Sequence, residues 1–107
     1  MQIVTLKINQ EQANLLQRLG LEVDSKIFLI ERMIDMHKND TDFVESKPFQ
    51  YYVNNYEQSY MAYELAKEEF QSTFVEPEIK SNFGENSIVN RWAIDFSELS
   101  CKVWIND

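Results

Sequence analysis

One cysteine, one histidine, two glycines and two prolines are spread over 107 residues. Each shortage closes a class of function. Cys101 has no partner for an internal disulfide, so the chain is not a disulfide scaffold. His37 has no second His or Cys at metal-ligand spacing, and no metal is expected. Two glycines do not build a phosphate-cradling loop. Scarce Gly and Pro also exclude long flexible linkers. No apolar run reaches the roughly 20 residues of a membrane span. The N-terminus lacks the basic start and apolar block of a secretory signal. The expectation is a cytoplasmic protein with no membrane association and no cofactor.

A catalytic constellation is missing as well. Cys101 has no basic cluster to lower its pKa and reads as a small buried apolar group. Asp95 sits mid-strand between Ile94 and Phe96 and reads as outward-facing; turned inward, its pKa would rise. Glu68 and Glu69 are neighbours on a helix and do not converge. The chain is therefore expected to be non-enzymatic, with no catalytic residue.

What the chain does have is a core and an uneven charge. Apolar residues make up 44% and aromatics 13%, enough to fold. The net charge is −8. Residues 1–38 balance to zero, so the whole excess lies in residues 39–107. An acidic surface repels nucleic acid and attracts basic proteins, and it also keeps a small protein soluble.

Periodicity predicts an α+β fold with an N-terminal strand, two helices, one long helix and a C-terminal β-hairpin. Residues 3–8 alternate, with Val4, Leu6 and Ile8 on one face and Ile3, Thr5 and Lys7 on the other. Asn9 is placed to cap a helix whose apolar face is Ala13, Leu15, Leu16 and Leu19, with Gly20 as its stop. A second helix is expected from Asp24 or Ser25. Ile27, Phe28, Leu29, Ile30, Met33, Ile34 and Met36 cover more than half of its circumference. So apolar a helix requires cover on more than one side, and a second copy of the chain would supply it. Residues 39–48 read as a connection. Phe49, Tyr52, Tyr56, Tyr60, Tyr63, Ala66 and Phe70 then mark a long helix over about 49–72, with Glu57, Glu64, Glu68 and Glu69 on its other faces. Tyrosines in this stripe are expected in a core or an interface. Pro77 is expected to break the pattern and residues 81–87 to form a loop around Gly84. In the hairpin, Ile88, Trp92, Ile94 and Phe96 share one face of the first strand. Cys101, Val103 and Ile105 oppose Lys102 and Trp104 in the second, and residues 97–100 form the turn. The chain divides at 1–39 and 40–107, or continues as one domain.

The N-terminal third is a short alternating strand, a capped helix, a turn and a second helix reading LIERMI. This set resembles the ribbon-helix-helix family of small repressors and antitoxins. The apolar pairs Leu29–Ile30 and Met33–Ile34, two residues apart, carry the likeness together with the SKIFLIERMIDMHK stretch. The resemblance covers residues 3–38 and implies an intertwined homodimer with Leu29, Ile30, Met33 and Ile34 in its core. The paired strands would enter the DNA major groove, which admits a two-stranded ribbon. Ile3, Thr5 and Lys7 would face the bases, and the helix N-terminus at Ser25 and Lys26 would hold a phosphate. The expected function is that of a DNA-binding transcriptional regulator or antitoxin-like protein with an acidic partner-binding C-terminal region.

An alternative of a different class stays open. In size and charge the chain is similar to immunity proteins and to phage-encoded inhibitors of CRISPR nucleases. Glu57, Glu64, Glu68 and Glu69 would stand in for phosphates against a basic nuclease. In that reading the N-terminal strand joins the C-terminal hairpin in a three-stranded antiparallel sheet beneath the helices. A structural adaptor using the tyrosine stripe is a third reading.

Overall fold

A computed structural model describes residues 1–40 and 42–106. The fold is α+β. Strand β1 (Gln2–Lys7) leads into helix α1 (Gln10–Met36). A 3₁₀ turn (Phe43–Glu45) precedes helix α2 (Lys47–Phe70), which runs through a π turn (Gln71–Val75) into helix α3 (Glu76–Phe83). Strands β2 (Ile88–Asp95) and β3 (Ser100–Asn106) close the chain. Two compact units divide it: Met1–Gln17 with Ala66–Asp107, and Arg18–Leu65. The 39/40 division expected from the sequence falls inside the second of these.

The first unit holds an antiparallel sheet in the order β1-β3-β2. Leu6 lies opposite Cys101 and Val4 opposite Val103. Leu6, Ile8, Cys101, Val103 and Ile105 bury one face of the sheet against Ala13, Leu16, Phe70, Val75 and Ile79. Phe70 also meets Trp92, ring centroids 5.1 Å apart, and the Trp92 Nε1–H donates to Gln71 Oε1 at 3.0 Å. The turn from strand to helix is tied by Asn9. Its Oδ1 accepts the Gln12 N–H at 2.8 Å, and its own N–H donates to Gln12 Oε1 at 3.0 Å. This is a reciprocal cap that satisfies two otherwise orphaned donors.

Strand β2 departs from strict alternation. Val89 opposes Ile105 while Arg91 opposes Trp104, so Asn90 is an extra residue in a bulge. Ile88, expected on the same face as Trp92, is exposed instead, and Val89 takes the inward place. The hairpin loop is Phe96–Leu99, one residue earlier than expected. Leu99 closes it at φ 49°, in the left-handed region, while its carbonyl accepts the Ile8 N–H at 3.0 Å.

Three helix boundaries correct the sequence reading. Gly20 does not stop the first helix and no second helix begins at Asp24 or Ser25; α1 is continuous. The buried positions Leu16, Val23 and Ile30, with half-buried Leu19 and Ile27, keep a single face without a break. Glycine inside a helix costs only about 1 kcal/mol, which such a face outweighs. Pro77 does not end the long helix either. It occupies the first turn of α3, where a missing N–H is tolerated. The π turn precedes it, and the Ser72 and Thr73 hydroxyls donate to the Glu69 carbonyl at 3.3 and 2.6 Å. The helix then continues to Phe83, and Gly84, at φ 110°, caps it.

The Arg18–Leu65 unit has its own small core. Val23, Ile30, Phe49 and Ser59 are buried. The Lys26 ammonium donates to Ser59 Oγ at 2.6 Å, which satisfies that buried hydroxyl. A Cβ on Gly20 would stand 3.4 Å from the Tyr63 ring. His37 stacks on Phe43 with centroids 3.8 Å apart, and Phe43 in turn meets Phe49. The tyrosine stripe divides: Tyr56 and Tyr63 are half-buried, while Tyr52 and Tyr60 are exposed at its margins.

Candidate nucleic-acid interface

The sheet has a second, open face. Pairing places its side chains in rows across the three strands. Ile3, Trp104 and Arg91 form one row. Thr5, Lys102 and Ala93 form the next, and Lys7, Ser100 and Asp95 the last. The alternation that buries Leu6 and Val103 necessarily turns these residues outward. Ile3, Thr5, Lys7, Arg91, Ala93, Asp95 and Lys102 are exposed, and Trp104 is half-buried. The Arg91 guanidinium lies 4.0 Å from the centroid of the Trp104 ring, a cation–π contact that partly covers the indole.

Charge is segregated within this unit. The open face carries Lys7, Arg91 and Lys102 against Asp95 alone. Its helices carry Glu11, Glu68, Glu69, Glu76 and Glu78 against Lys67 and Lys80. In a chain of net charge −8, the outer sheet face is thus a cationic island with an aromatic ring in it.

Asp95 sits at the corner of that island. Its Oδ1 accepts from the Ser97 hydroxyl at 2.7 Å and from the Ser97 and Glu98 N–H groups at 3.1 Å each. The Ser97 hydroxyl bond, above all, holds the carboxyl below its usual range, and the Glu98 N–H and Lys102 reinforce it. The carboxylate therefore braces the hairpin turn. Cys101, on the opposite face of the sheet, is fully buried, and burial pushes its thiol up to about 11. That is an inert core thiol.

The expected base-facing residues Ile3, Thr5 and Lys7 are therefore together on one exposed face. Sequence reasoning missed the three residues that join them, Arg91, Lys102 and Trp104. The signal was available, because Lys102 and Trp104 oppose the apolar positions of β3. Only the β1–β3 register, which links residues nearly a hundred positions apart, merges the two outward sets. β1 is hydrogen-bonded to β3 of its own chain as an edge strand of the sheet, the three-stranded arrangement expected in the alternative reading.

Other expected site residues fall elsewhere. Ser25 and Lys26 lie in the middle of α1, so their backbone N–H groups belong to the helix ladder and offer no phosphate site. Of the four residues expected in a dimer core, Ile30 is buried within its own unit and Met33 is half-buried, while Leu29 and Ile34 are exposed. Glu57 is exposed and Glu64 half-buried in the Arg18–Leu65 unit; Glu68 and Glu69, in the other, are exposed. Among the described residues no group of three His, Cys, Asp or Glu side chains is placed to hold a metal ion. No helix among them is long and apolar enough to cross a membrane. Comparison with protein families, with curated proteins and with solved structures finds no match.

Proposed function

We propose that the protein is a non-catalytic, DNA-binding regulator whose contact surface is the open face of the sheet. One observation carries this reading: Lys7, Arg91 and Lys102 share a face with Trp104 and Thr5 in a chain that is otherwise acidic. Cations that follow a backbone, set beside a ring on which a base can stack, are what single-strand recognition uses. The Ile3, Thr5 and Lys7 roles implied by the ribbon-helix-helix resemblance are kept, but on a three-stranded surface. An open three-stranded sheet face suits an unpaired strand better than a major groove. A bound base displaces the Arg91 guanidinium from Trp104, and the arginine turns to a phosphate.

Fluorescence anisotropy with labelled single-stranded and duplex DNA tests this. Neutralising three phosphates on a single strand gives a slope of log K against log salt of about −2. Lys102→Glu is expected to weaken binding at least tenfold, and Trp104→Ala to remove the quenching of tryptophan emission that stacking produces. Absence of binding to either form at about 25 mM salt, where phosphate contacts are strongest, overturns the reading.

A second reading is favoured by the opposite pole of the same unit. Glu11, Glu68, Glu69, Glu76 and Glu78 would present carboxylates to a basic protein such as a nuclease, as an acidic inhibitor does. Calorimetric titration against a basic nuclease separates the two. Glu68→Lys with Glu69→Lys abolishes this binding, whereas Lys102→Glu leaves it intact.

A further inference from the structure

The Arg18–Leu65 unit exposes an apolar stripe that neither the sheet face nor the acidic pole uses. Along the outer side of α1, Leu21 and Phe28 are each 58% exposed, Leu29 is 43% and Met36 is 73%. The spacings of seven residues from Leu21 to Phe28 and from Leu29 to Met36 put all four on one side of the helix, opposite buried Val23 and Ile30. Arg18, Glu22, Ser25, Arg32 and Asp35 border or interrupt the stripe.

The order of those charges identifies the occupant. From the N-terminal end they read plus, minus, plus, minus. Laid parallel on itself, each residue meets its own copy, so Arg18 faces arginine and Asp35 faces aspartate. Laid antiparallel about a point between Lys26 and Ile27, the pattern becomes self-complementary. Arg18 is then level with Asp35 of the second copy, and Glu22, level with Glu31 of the second copy, lies one residue from its Arg32. Leu21 of the second copy comes level with Arg32. It meets the shallow depression lined by Phe28, Glu31, Arg32, Asp35 and Met36. The Arg32 guanidinium, 5.9 Å from the centroid of the Phe28 ring, forms part of that wall.

We infer that this stripe is a homodimer interface, made by two α1 helices packed antiparallel through Leu21, Phe28, Leu29 and Met36. The residues differ from a dimer core of Leu29, Ile30, Met33 and Ile34, because Ile30 is committed to the interior of its own unit.

Analytical ultracentrifugation of the full chain over a dilution series tests it. A concentration-dependent dimer is expected, and Leu21→Glu with Phe28→Glu is expected to leave a monomer whose circular dichroism is unchanged. Arg18→Asp alone is expected to raise the dimer dissociation constant at least tenfold, and adding Asp35→Arg to restore it. A spin label on Met36→Cys reads the orientation. The helical rise places antiparallel labels about 30 Å apart and parallel labels within about 20 Å. A wild-type monomer throughout the series, a double glutamate variant that still dimerises, or failure of the charge swap to restore the dimer each overturns the proposal.

Discussion

Single residues set the chemistry the chain can offer. Cys101 is buried on the core side of β3, and a thiol held at about 11 is almost entirely protonated at neutral pH. Native protein is therefore expected to be unreactive toward a thiol-specific disulfide reagent for hours and to react at once in denaturant. Rapid native labelling would show that β3 opens locally. Asp95 has the opposite character, exposed and stabilised as an anion by the turn it braces. Its folded pKa lies below its unfolded value, so its contribution is present above the ordinary carboxylate range and is lost as pH falls through the folded pKa. Asp95→Asn is expected to lower the melting temperature at neutral pH, with the gap to wild type closing as the pH falls through the folded pKa of Asp95. Both placements were legible in the sequence, as was the Asn9 cap, because each rests on local pattern. The αL conformation of Leu99 was not legible, since nothing in its side chain asks for it.

At the scale of elements, periodicity located the three strands and the helix of the tyrosine stripe, while punctuation misled. Gly20 and Pro77 both read as breaks, and both lie inside helices. Breakers act through local energies of about 1–3 kcal/mol, which a buried face can exceed. A methyl added at Gly20 would meet the Tyr63 ring at 3.4 Å, an ordinary contact distance. Gly20→Ala is accordingly expected to stabilise the protein by about 0.5–1 kcal/mol through helix propensity, read as a rise in melting temperature. A fall would mean that the ring has no room to yield. The candidate site was half legible for a different reason. Alternation within β1 gave Ile3, Thr5 and Lys7, and the need to cover the hairpin placed β1 beside it in the alternative reading, but the register that sets Trp104 and Arg91 in line with Ile3 is a long-range fact that alternation does not encode.

Over the whole molecule the net charge opposes the proposed ligand, while one local face attracts it. Salt decides the balance, since fields beyond about 8 Å are screened at physiological ionic strength. Glu57→Gln with Glu68→Gln leaves the sheet face untouched and raises the net charge from −8 to −6. DNA affinity is expected to rise at low salt and to match wild type above about 0.15 M. An equal gain at all salt concentrations would place those carboxylates in direct contact with the DNA.

The bulge at Asn90 has a consequence for how this chain tolerates change in length. Strand β2 is registered from the hairpin turn backward, so the row of Arg91 and Trp104 is counted from Asp95 and Ser100. A one-residue insertion or deletion between Gly84 and Asn90 is therefore expected to be absorbed upstream of that row, exchanging which of Ile88 and Val89 points inward. The bulge works as slack in the chain: a change of length before it leaves Arg91 in line with Trp104 and Ile3.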